Sequence, residues 1–218
     1  KDHHHLSGAE GVNNMKKTET AAIIGMAGAL LISALGQDAA AYHSIEENVL
    51  RLHILANSDS MEDQLLKYKV RDEILRRGSV YFEDISSPED AVYTAESSLQ
   101  YLEEIAREAV AGEGYDYTVN AELVTMTFEE RTYEDVTLPA GVYDAVRITI
   151  GEAEGQNWWC VMYPPLCIPA VSETEDEDEI LEKYFTDEEE KLLTEPEKIR
   201  YKLKCAEWLK EIWRKVCE

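Results

Sequence analysis

Few residues in this 218-residue chain are of the types that carry out catalysis, and their spacing narrows the chemistry further. There is no G-x-S-x-G, no H-E-x-x-H and no glycine-rich phosphate loop. Beyond Ala41 only His43 and His53 could serve as imidazole bases. A thiol nucleophile needs such a base in reach, so Cys160 with His53 is the one dyad to weigh, and it would make the chain a secreted enzyme. Cys160 has a better candidate partner in Cys167. Six residues including Pro164-Pro165 separate the two cysteines, and a turn there can join them as a disulfide. Cys205 and Cys217 stand twelve residues apart on one expected helix. A rise of about 1.5 Å per residue puts them roughly 18 Å apart, too far to bond to each other. His3, His4 and His5 lie adjacent in a featureless tail, which does not make a closed metal site. No metal or other cofactor is expected.

A different chemistry, recognition, is suggested by the stretch from Val49 to Leu75. Val49, Leu50, Leu52, Ile54 and Leu55 predict a short buried strand, because the apolar run ends at once in the turn cluster Asn57-Ser58-Asp59-Ser60. Ser60 with Asp63 approximates a capping box. Leu66, Val70 and Ile74 then recur at helical spacing, with Gly78 where a C-terminal cap belongs. One reading makes the loop a cap and nothing more. The other makes His53, Asn57, Ser58, Asp59, Asp63, Gln64 and Lys67 a recognition surface, since polar groups at a helix N-terminus can hold an anion or a partner's carboxylate. Trp158 and Trp159 are adjacent on a later strand, so one faces the core and the other outward, where it is either a partner-binding anchor or a purely structural residue.

The elements that must position these residues follow in order. Ser87-Pro88-Glu89-Asp90 opens a second helix with a cap, a proline at its first position and acids in its first turn. Its stripe is Val92, Ala95, Leu99, Leu102, Ala106 and Val110. Tyr117 to Leu123 alternates as a half-buried strand that Thr125 to Phe128 continues. Thr132 to Val136 is a further short strand, Tyr143 to Ile150 another, and Trp158 to Tyr163 the last. Gly151 to Gly155 reads as a hairpin-like connection. A strand, two helices and then a run of strands predict an α+β fold, with two amphipathic helices on one face of a mixed or antiparallel sheet.

Composition sets the flanks. Forty-five acids against 21 bases give a net charge of −24, which excludes nucleic acid as a partner. Residues 1–14 read as upstream or tag-like sequence. Lys16-Lys17, an apolar run to Leu35 and Ala39-Ala40-Ala41 form the three parts of a signal peptide over 15–41, with a retained anchor as the rival. The domain proper is expected over 42–170. Glu173 to Glu190 holds eleven acids against Lys183 alone, so 171–195 is expected to be a solvated, low-order segment. A calcium site there lacks fixed ligand spacing. Residues 196–218 read as a basic amphipathic helix that docks on the sheet, meets the acidic segment or touches a membrane surface.

Two segments together resemble the stage II sporulation protein R family: HILANSDSMEDQLLKYKVRD (His53 to Asp72) and NWWCVMYPPLC (Asn157 to Cys167). The resemblance runs from about Val49 to Cys167 and does not extend to the acidic segment. It implies a forespore protein secreted into the space facing the mother cell. There it would trigger a membrane-embedded aspartic protease that processes a sigma-factor precursor. On that implication the chain activates proteolysis and is not itself an enzyme.

Overall fold

The computed structural model describes residues 40–196 apart from 83, 84, 134 and 167–176, together with residues 19, 22, 25, 26, 28 and 29. The chain divides into two compact units, one of residues 1–40 with 195–218 and one of residues 41–194. In the first unit, the described residues between 19 and 29 are all helical. The expected C-terminal helix, with Cys205, Cys217 and the membrane contact, lies outside the described residues. Among the described residues no helix is long and apolar enough to cross a membrane.

The second unit begins in the expected order, a strand followed by two helices and then strands. A helical lead-in over 41–48 precedes strand β1 (Leu50–Leu55), helix α1 (Met61–Gly78), a 3-10 turn (Ser79–Tyr81) and helix α2 (Pro88–Gly112). Strands β2 (Val119–Phe128), β3 (Arg131–Tyr133), β4 (Val136–Leu138), β5 (Gly141–Ile150) and β6 (Asn157–Tyr163) follow. The helix starts are those the caps predict: Asp63 N donates to Ser60 Oγ at 3.1 Å, and Asp90 N donates to Ser87 Oγ at 3.1 Å. Gly78 belongs to α1 and acts as more than a stop. A Cβ there would lie 2.9 Å from Leu102 Cδ2, so the missing side chain lets α1 and α2 approach closely.

The main sheet has the order β2-β5-β1-β6. It is mixed: β1 runs parallel to β5 and antiparallel to β6, and β2 is antiparallel to β5. Alternation sends Leu50, Leu52 and Ile54 to one face and Arg51, His53 and Leu55 to the other. Trp158 pairs with Ile54 and touches Tyr68 of α1, so the first face is the one under the helices. The second face is partly covered by the β3–β4 hairpin, whose Tyr133 reaches Arg51. With both faces covered, β1 is buried from Leu50 to Ile54.

Three expectations need correction. The single short strand at Thr132 to Val136 is two strands, β3 and β4, forming a separate hairpin. The connection after Ile150 does not close a hairpin, because β1 lies between β5 and β6 and residues 151–156 cross over its end. Two interstrand steps of about 4.8 Å are within reach of six residues. The acidic stretch is helical from 177 onward, as α3 (Glu177–Tyr184) and α4 (Asp187–Thr194). Its acids carry an apolar stripe among them, and Ile180, Leu181, Phe185, Leu192 and Leu193 are buried. Thr186 and Glu189 form a capping box: Thr186 N and Oγ1 donate to Glu189 Oε2 at 2.7 and 2.9 Å, and Glu189 N donates back at 3.4 Å. That bond set explains how Glu189 is buried.

Candidate recognition site

The loop after β1 is held by its own side chains. Asp63 Oδ2 accepts from Asn57 Nδ2 at 2.8 Å and from Ser58 Oγ at 2.5 Å. Gln64 Nε2 donates to the Ser58 carbonyl at 2.9 Å. Lys67 Nζ donates to Gln64 Oε1 at 2.6 Å and to the Gln156 carbonyl at 2.8 Å. The crossover is bonded down onto the same loop. Glu152 N donates to Asn57 Oδ1 at 3.0 Å, Gln156 N to Asp59 Oδ1 at 2.7 Å, Glu154 N to the Asn57 carbonyl at 3.2 Å and Gly155 N to the Ala56 carbonyl at 3.0 Å. A Cβ on Gly155 would overlap the Ser58 carbonyl, and one on Gly151, at φ +59°, would overlap Asn57 Oδ1.

These bonds set the electrostatics. Burial acts to raise the Asp63 carboxyl, but hydrogen bonds from Ser58, Asn57, Tyr117 and Ser60 hold it below its ordinary value. Lys67 is lowered by burial, and Asp59 works against that shift. Asp63 and Lys67 are 4% and 1% exposed, so neither presents its charge to a partner. Of the expected recognition residues, Asp59 is exposed, Asn57, Ser58 and Gln64 are half-buried, and His53 is buried. The polar loop is a brace between two distant segments. Its outer surface continues into an apolar stripe on α1, with Met61 at 76% and Leu65 at 55% exposure and Tyr68 next to them. Their spacing of four and three residues puts them on one helix face. Helical periodicity shows Leu65 and Tyr68 flanking the buried stripe. Their exposure depends on what covers α1, and the sequence is silent on that.

The two tryptophans split between the faces as alternation requires, and both are half-buried. Trp158 meets Tyr68 edge-on at 5.4 Å, with the Arg71 guanidinium 4.5 Å over its ring. Trp159 stacks on His53 at 3.9 Å with the rings 14° apart. His53 Nε2 lies 2.9 Å from Asn157 Oδ1, and Nδ1 has no partner. Burial lowers its pKa, the Asn157 bond opposes this and Arg147 adds to it.

Cys160 is disulfide-bonded. Cys167, its expected partner, lies outside the described residues. Cys160 pairs with Leu52 and shares its face, while His53 faces the opposite side. The thiol–imidazole dyad is therefore not assembled. Among the described residues no group of His, Cys, Asp and Glu could hold a metal ion.

Arg51 is a residue that pattern reading missed. It lies in a run of apolar neighbours and is fully buried, within a cage of aromatic rings. A charged residue inside an otherwise apolar central strand is the signal that marks it.

Residues 46–173 match the family described as Stage II sporulation protein R (spore_II_R). The chain is 38% identical over 140 residues to Stage II sporulation protein R of Bacillus subtilis (strain 168), covering 62% of this chain and 62% of that protein. No solved structure matches. The family match takes in the β1–α1 loop, the crossover and β6 together, and the chain belongs to the stage II sporulation protein R family.

Proposed function

We propose that this chain is an exported signalling protein of sporulation. It acts from the space between the forespore and mother-cell membranes, and it activates a membrane-embedded aspartic protease that processes a sigma-factor precursor. The observation that carries this reading is the family match over residues 46–173. The signal-peptide pattern over 15–41 supports export. The contact surface is the outer rim of the β1–α1 loop at Asp59, continued by Met61, Leu65, Tyr68 and the edge of Trp158. An exposed apolar patch beside polar residues is how a soluble domain engages a protein partner.

The test is reconstitution in a non-sporulating host expressing the chain, the protease and the sigma precursor. Cleavage is expected only when all three are present, and cleavage without this chain refutes the reading. Leu65→Glu with Met61→Lys is expected to abolish cleavage while leaving thermal unfolding unchanged within about 2 °C, as surface changes do. Full cleavage by that variant would remove the stripe from the contact surface.

A further inference from the structure

Arg51 is a buried cation without a counter-ion among the described residues. Its side chain is 0% exposed. Nε donates to the Cys160 carbonyl at 3.2 Å, Nη2 donates to the Tyr133 hydroxyl at 2.8 Å, and Nη1 has no partner. The guanidinium carbon lies 4.5 Å from the Phe128 ring centre, 5.1 Å from Tyr143 and 5.7 Å from Tyr133. No carboxylate among the described residues bonds to it; its hydrogen-bond partners are a carbonyl and a phenol. A guanidinium offers a planar fork that fits a carboxylate at both Nη atoms. Here one prong is empty and the other holds a neutral hydroxyl.

The walls of the cage are unequal. Phe128 and Tyr143 are 2% and 0% exposed. Tyr133 is half-buried and belongs to β3, a three-residue strand paired only with β4, whose other residues Arg131 and Thr132 are exposed. Tyr133 is therefore the wall that is neither fully buried nor part of the main sheet. We propose that Arg51 is a carboxylate receptor closed by Tyr133. An acidic side chain or a chain terminus of a partner protein displaces the Tyr133 hydroxyl and takes both prongs between Phe128 and Tyr143. This inference stands apart from the identity of the partner proposed above.

The test follows the Arg51 Nε–H resonance of the full chain by NMR. Sodium acetate is titrated against sodium chloride at equal ionic strength. A saturating shift with acetate and none with chloride is expected. Tyr133→Phe keeps the ring and removes the competing hydroxyl, and it is expected to tighten acetate binding about tenfold. N-acetylglycine and the α-amide of N-acetylglutamate then separate a chain terminus from a side chain, and the tighter of the two names the source. If acetate shifts the resonance no more than chloride does, in both the wild type and Tyr133→Phe, the inference is overturned. A tighter response to inorganic phosphate than to acetate overturns the carboxylate assignment.

Discussion

Asp63 accepts hydrogen bonds in a buried position, so both its charge and its acceptor oxygens matter to the loop. Asp63→Asn is expected to cost about 1–3 kcal/mol in urea unfolding at neutral pH, the usual effect of leaving buried donors unpaired. The folded carboxyl is held below its ordinary value. Its contribution is therefore complete above the unfolded pKa of about 4 and is lost as pH falls through the lowered folded value. His53 has the opposite charge type and the same direction of shift. As pH falls through about 6.5 the unfolded chain takes up the proton first, so stability drops until the folded pKa is reached. His53→Gln is expected to flatten that slope in pH-dependent unfolding. The apolar residues of β1 were legible from sequence, because period and composition are local. The burial of Arg51 and His53 was not, since their covers, Tyr133 and Trp159, come from far along the chain.

Elements show the same division. The caps at Ser60 and Ser87 could be read directly, because a capping hydrogen bond spans three residues. The crossover could not, because a six-residue run of Gly, Ala, Glu and Gln between two strands looks alike whether it closes a hairpin or steps over a third strand. Gly155 distinguishes the two cases. Gly155→Ala must push the crossover off the Ser58 carbonyl, and a loss of about 1–3 kcal/mol is expected in chemical unfolding. The acidic helices were hidden by charge density, which concealed the apolar spacing of Ile180, Leu181, Phe185, Leu192 and Leu193. Thr186→Ala removes the cap at the start of α4, and a cost of about 1 kcal/mol is expected.

At the scale of the whole molecule, a net charge of −24 acts against compactness. Raising salt from about 0.05 to 0.5 M shortens the screening length several-fold, so calorimetry is expected to show a higher unfolding temperature with added sodium chloride. The placement of β1 has a further consequence. Leu50 pairs with Asp144 and with Tyr163, so a strand made early finds both neighbours only near the end of the domain. Such pairing gives a high contact order and slow folding. A growing chain that has not reached β6 has no completed sheet in which to place β1. Removing β6 therefore leaves one edge of β1 without its partner, so the last strand of the domain closes the sheet that its first strand begins.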